Sequence, residues 1–177
     1  FRESVLENIE RDPVAVAMDK HIAHASLVAT QVKYLQRARQ TLPRLYEAGC
    51  VIPPRAFEQS SSEESANIKD ISGGRLLDLT CGLGIDVMHF AERFESVVAL
   101  ERDEVLAKIV RHNFALLGID NVEVITTSAE EYVATTTEHF DWVFADPDRR
   151  SAEGKKMVRM EDCSPDMVAL YPALGRI

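Results

Sequence analysis

The chain has 177 residues, room for one domain with an appendage or for two small ones. Hydrophobic residues make up 46%, which excludes a wholly disordered chain, and no apolar run approaches the roughly 20 residues needed to cross a bilayer. A net charge of −9 gives an overall field that repels polyanions, so nucleic-acid binding would need a local basic patch or another domain. The three cysteines (Cys50, Cys81, Cys163) are far apart, odd in number and without a C-x-x-C pair. That argues against disulfides and zinc and points to a reducing cytosol, hence a cytoplasmic protein. His21, His24, His89, His112 and His139 show no metal-ligand spacing, so no metal is expected. The chain begins at Phe1 rather than Met, with no signal-peptide pattern, and its natural start is left open.

Residues 1–70 read as a helical N-terminal domain. Asp12-Pro13 is a helix start, since Asp12 can accept from free N–H groups and proline tolerates the first turn. A second helix is expected over 25–40, with Leu27, Val28, Gln31, Val32, Leu35 and Ala38 on one face, ended by Pro43. Lys33, Tyr34, Arg37, Arg39 and Arg44 form a modest basic cluster, either a solvated helix face or an RNA-contacting patch. Residues 49–54 read as a connector, with Pro53-Pro54 excluding regular helix. Ser60 with Glu63, or Ser61 with Glu64, fits a capping box at the start of a short helix.

Gly73-Gly74 marks a break, and from there strands and helices alternate over 71–177. Strands are expected at 75–78, 96–101, 121–126 and 141–145, and helices at 85–94, 104–117 and 129–135. Gly118 closes the second of these helices. A last helix begins near Ser164-Pro165. This rhythm implies a Rossmann-like α/β fold, a doubly wound parallel sheet with helices on both faces. Such sheets usually have about six strands. Four are visible, so the fold is expected to be incomplete at the C-terminus.

The loop Asp78-Leu79-Thr80-Cys81-Gly82-Leu83-Gly84 joins the first strand to a helix, and its glycines let backbone approach a ligand at the helix N-terminus. Val87 stands where a dinucleotide fingerprint has its third glycine, which disfavours a NAD-linked oxidoreductase. Asp78 and Asp86 bring negative charge that repels a pyrophosphate but suits a sulfonium and an ammonium, as in S-adenosylmethionine. Glu101 ends the second strand, where a carboxylate can accept both ribose hydroxyls.

The stretches 76–84, 97–103, 121–130 and 142–147 resemble successive motifs of the class I S-adenosylmethionine-dependent methyltransferases. The resemblance implies a cofactor site built from Asp78, Thr80, Cys81, Gly82, Gly84, Glu101 and Arg102. Ser128 and Ala129 would touch the adenine; Ser128 stands where an acid is common, and Glu130 would substitute. Glu58-Gln59-Ser60-Ser61 and Asp146-Pro147-Asp148-Arg149-Arg150 further resemble a bacterial group described as having a THUMP-like domain. More distantly they are similar to trimethylguanosine synthases and RNA guanine-N2 methyltransferases. In such relatives the segment before the first strand closes over the methionine end, which marks Gln59 and Ser61; a plain helix cap explains the serines equally well.

In the amino-methyltransferase motif an acid or Asn precedes Pro-Pro and an aromatic residue, and its polar oxygens hold an exocyclic amine. Here Asp146 and Pro147 are kept, while Asp148 and Arg149 replace the second proline and the aromatic. Arg149-Arg150 can stack on a base, grip a phosphate or form surface salt bridges. A D-P-x-R loop also resembles the RNA uracil-C5 methyltransferases, which need a cysteine nucleophile. Cys163 is the only later cysteine, and it equally precedes a helix start at Ser164-Pro165. The expectation is an S-adenosylmethionine-dependent methyltransferase acting on a base nitrogen of RNA, with Asp146, Pro147 and Arg149 at the acceptor. The alternatives are methylation of a small molecule or protein, or a non-catalytic cofactor- or RNA-binding module.

Overall fold

The computed structural model describes residues 1–148 and 159–177. The helical part comprises α1 (Arg2–Glu7), α2 (Pro13–Met18), α3 (Ala25–Thr41), α4 (Pro43–Glu47), α5 (Pro54–Gln59) and α6 (Glu63–Asn67). Asp12 caps α2 by accepting from the N–H groups of Val14 and Ala15, as the sequence predicts. On α3, Val28, Ala29, Gln31, Val32, Leu35 and Ala38 are buried. Leu27, in the first turn at the flank of that stripe, remains 60% exposed and leaves the predicted apolar face. Pro43 and Pro54 each open a helix, because a residue in the first turn needs no N–H partner. The expected helix-free stretch at Pro53-Pro54 is thereby corrected. The cap of α6 is also not the one expected: Ser62 accepts from the Ser65 N–H. Glu63 instead accepts from the Arg44 N–H, and the Ser60 hydroxyl donates to the Phe57 carbonyl.

The remainder runs β1 (Gly73–Asp78), α7 (Ile85–Phe90), β2 (Phe94–Glu101), α8 (Glu104–Leu117), β3 (Val122–Thr126), α9 (Ala129–Thr135), β4 (Trp142–Phe144) and α10 (Met167–Leu174). Among the described residues the strands form one parallel sheet in the order β3-β2-β1-β4. Gly73 and Gly74 lie inside β1 rather than before it. A Cβ on Gly74 would stand 2.8 Å from Asp141 Oδ2, the oxygen that accepts from the Arg75 N–H, so the glycines permit a close approach. The first helix after the loop is shorter than expected because Phe94, buried, joins β2 opposite Gly73.

Alternate residues of the central strands feed two cores. Leu76, Val97 and Ala99 join α7, α8 and the helical part in one cluster that runs from Val5 to Val124. Leu77, Val98 and Leu100 face Ala129, Val133 and Leu170 of α9 and α10 on the other side. The helical part is tied to α8 at residues 51 and 52. The Gln31 side chain donates to the Ile52 carbonyl and accepts from its N–H; the Asn113 side chain on α8 does the same for Val51. The two bonds made by Gln31 explain a buried glutamine on an apolar helix face. No helix among the described residues is long and apolar enough to cross a membrane.

Candidate functional site

The chain runs from β1 through β2 to β3 on one side and then crosses to β4 on the other, so β1 and β4 flank the switch point where open α/β sheets bind ligands. Beyond Asp78 the backbone leaves β4: the Leu79 N–H still reaches the Phe144 carbonyl at 2.9 Å, but the Cys81 N–H reaches Leu100 of β2, also at 2.9 Å. The divergence opens a cavity of about 610 Å³, within the roughly 300–1,000 Å³ usual for small-molecule sites.

Of the predicted residues, Gln59, Ser61, Thr80, Cys81, Gly82, Glu101, Arg102, Ser128, Ala129, Glu130, Asp146 and Pro147 line this cavity together. Asp78 and Gly84 do not. Asp78 is buried beneath the loop and braces it, its Oδ1 accepting from the Thr80 N–H at 2.7 Å. Burial, with the nearby Asp86 charge, pushes its carboxyl up to about 7 against these hydrogen bonds. Gly84, at φ +82°, starts α7 and packs against Phe114 and Val110. Arg149 and Arg150 lie outside the described residues.

At one end of the cavity, Glu101 accepts from the Gly82 N–H at 3.0 Å and from the Asp103 N–H at 2.8 Å, which fixes its carboxylate beside the loop. Burial raises its pKa, while the two N–H groups oppose the shift. The Ser128 side chain caps α9 through the Glu131 N–H, and Leu106, Ile109 and Ala129 supply apolar wall. At the opposite end, the Ser61 hydroxyl reaches Asp86 at 3.4 Å, and Lys69 pairs with the other oxygen of Asp86 at 2.6 Å.

The rim closes through contacts invisible to local sequence reading. Asp148 and Ser164 form an antiparallel bridge, with the Asp148 N–H on the Ser164 carbonyl at 2.9 Å and the Ser164 N–H on the Asp148 carbonyl at 3.2 Å. Gln59 donates to the Asp148 carboxylate at 3.1 Å, and Arg102 donates to the Ser164 hydroxyl at 2.8 Å. Arg102 therefore braces the rim. Ser164, Pro165, Asp103 and Arg55 line the cavity without having been singled out. For Asp103 the cap at the start of α8 was a usable signal; pairing of Ser164 with Asp148 was not readable from residue types.

The wall chemistry fits a cationic donor better than a pyrophosphate. Asp86, Glu101, Glu130 and Asp146 stand on it against Arg55 and the already bonded Arg102. No thiolate is available from Cys81, whose thiol burial holds well above its usual range. Cys163 is buried, is not on the cavity wall, and its thiol donates to the Arg159 carbonyl at 3.3 Å.

Residues 76–160 match a family described as a methyltransferase domain. The tRNA/tmRNA (uracil-C(5))-methyltransferase of Photorhabdus laumondii subsp. laumondii is 27% identical over 151 residues, covering 77% of this chain and 39% of its own length. The 23S rRNA (uracil(747)-C(5))-methyltransferase of Vibrio vulnificus is 25% identical over 134 residues, covering 71% of this chain and 36% of its own. A protein of Porphyromonas gingivalis W83, provisionally described as a methyltransferase, has a crystal structure that superposes with a TM-score of 0.82 at 27% identity. That match covers 98% of this chain and 45% of the other. The chain spans less than half the length of each of these relatives. The glycine loop, the Glu101 strand end and the Asp146-Pro147 loop all lie within the stretch that resembles a methyltransferase domain, and all three contribute to the wall of one cavity.

Proposed function

We propose that the chain is the donor-binding part of an RNA methyltransferase that modifies a base nitrogen. The observation that carries the reading is one cavity at the β1–β4 switch point walled both by the glycine loop with Glu101 and by Asp146-Pro147. Glu101 would accept the ribose hydroxyls, Ala129 and Ser128 or Glu130 would meet the adenine, and Asp86 with Ser61 and Gln59 would face the amino-acid end. When bound, S-adenosylmethionine supplies a methyl group on a good leaving group. The protein's part is to hold the acceptor in line with it. Asp146 would accept from an exocyclic N–H so that the nitrogen lone pair points into the cavity, and Pro147 stiffens that loop.

RNA as the partner is supported by the curated relatives, which act on tRNA, tmRNA and rRNA. Those relatives methylate uracil C5, and that is the second reading. It needs a nucleophilic thiol at the acceptor, and among the described residues Cys163 is turned to the Arg159 carbonyl and Cys81 is held protonated. The nitrogen reading rests on Asp146-Pro147 at the cavity wall. Membership of the THUMP-like bacterial group, with distant kinship to the trimethylguanosine synthases, is part of the proposal and rests on residues 58–61 and 146–150. So is a division into a helical unit over 1–70, which supplies the lip at Gln59, and a donor-binding unit over 71–177. Three buried free cysteines support a cytoplasmic setting.

Nucleoside mass spectrometry of cellular RNA treated with the intact protein and methyl-labelled donor tests this. An N-methylated base is expected, lost in Asp146→Ala. Labelled 5-methyluridine would overturn the nitrogen assignment, and donor binding without labelled RNA would overturn the substrate class.

A further inference from the structure

Where β1 and β4 separate, one rung of the ladder is made by a side chain. In an evenly spaced parallel ladder, the bond from the Leu79 N–H to the Phe144 carbonyl is followed by one from the Asp146 N–H to the Leu79 carbonyl. The Asp146 N–H donates instead to Thr80 Oγ1, at 2.7 Å. The main chain is no longer within that pattern because it has turned toward β2, as the Cys81–Leu100 bond shows. The hydroxyl is itself held from behind. It donates to Asp78 Oδ1 at 3.3 Å, and the same oxygen accepts from the Thr80 N–H. Asp78 is buried and so has little freedom to move away from this contact. The Thr80 hydroxyl thus joins the loop that walls the donor to the loop that carries Asp146.

We propose that Thr80 is a positioning residue: its hydroxyl replaces the missing rung between β1 and β4 and fixes Asp146 relative to the glycine loop. The inference rests on Asp146 as the group that orients the acceptor. A small error in that relation is costly, because displacement requires acceptor nitrogen, methyl carbon and sulfur to lie in line. Threonine suits the place. Its hydroxyl donates to Asp78 while a lone pair accepts from Asp146, which neither valine nor alanine can do. Serine keeps the hydroxyl and drops only the methyl.

The test compares the native intact protein with Thr80→Ser and Thr80→Val, reading amide exchange at Asp146, affinity for S-adenosylhomocysteine, and kcat and KM on RNA. The Asp146 amide should be protected in the native protein and in Thr80→Ser, and exchange about tenfold or more faster in Thr80→Val. In the valine variant kcat should fall about tenfold or more and by a larger factor than S-adenosylhomocysteine affinity, and serine should restore kcat. Equal Asp146 exchange in native and valine proteins overturns the proposal. So does a loss of cofactor affinity that matches the loss of kcat and is not rescued by serine. Should the valine variant fail to fold, the native protein decides by itself, since an unprotected Asp146 amide there sinks the idea. If RNA is not the substrate, the function proposed above fails separately, while amide exchange still settles whether Thr80 holds Asp146.

Discussion

Two carboxylates at the ends of neighbouring strands have different work. Glu101 ends β2 on the cavity wall with both oxygens engaged by backbone N–H groups, which leaves its remaining lone pairs for a ligand. Glu101→Ala is expected to weaken S-adenosylhomocysteine binding by about 10- to 100-fold, the range for a hydrogen bond to a charged group. Titration calorimetry would measure it, with Glu101→Gln falling between. Asp78 ends β1 underneath, where burial has raised its carboxyl from the ordinary 3.8 to about 7. The folded state therefore binds this proton more tightly than the unfolded chain does. The penalty for ionising Asp78 is absent below about pH 4, grows up to about pH 7 and is constant above. Asp78→Asn does not titrate, so its stability relative to the native protein should rise by roughly 2–4 kcal/mol between pH 4 and pH 8. Denaturant midpoints across that range would show it, and a flat difference would contradict it. Glu101 was legible from its spacing beyond the loop. Residue type could not distinguish a carboxylate on the cavity wall from one that braces the loop, because that depends on which side of a strand end each side chain falls.

The strands and helices of the sheet-bearing part were largely legible, since apolar runs alternate with helices and Gly118 marks the end of one of them. What misled at the level of elements was proline and glycine. Pro54 opens a helix because the first turn needs no N–H partner, and Gly73-Gly74 lie within a strand because Phe94 and Asp141, remote in sequence, pack where a Cβ would stand. Two glycines in the left-handed region allow a clean comparison. At Gly84 a Cβ would meet Phe114 Cζ at 2.7 Å, while at Gly118 nothing lies within 4 Å. Gly118→Ala should cost only the backbone term, about 1–2 kcal/mol. Gly84→Ala adds a clash in the α7–α8 packing and should cost about 3 kcal/mol or more. Chemical denaturation of the two variants would rank them, and equal losses would refute the role of the Phe114 contact.

Across the whole molecule the helical part and the sheet share a core, and the amides of Gln31 and Asn113 grip residues 51 and 52 from either side. Asn113→Ala removes a donor and an acceptor at once and leaves both main-chain groups of Val51 without them. A loss of about 1–3 kcal/mol is expected from equilibrium unfolding. Sequence reading missed this joint because Gln31 and Asn113 are 82 positions apart in number (113 − 31) and neither stands in a motif. The closed rim of the cavity escaped for the same reason, being built from Gln59, Arg102, Asp148 and Ser164 on four separate stretches of chain.

The grip on residues 51 and 52 also bears on how the molecule comes apart. A connector free of both bodies would let the helical part peel away at a lower temperature, exposing the lip of the cavity while the sheet stayed intact. Here α8 holds Val51 and α3 holds Ile52, adjacent residues of one connector, so the two bodies cannot separate without breaking one pair of bonds or the other. Heating should give one calorimetric transition, and the exchange rates of these two amides should follow global unfolding rather than local fraying.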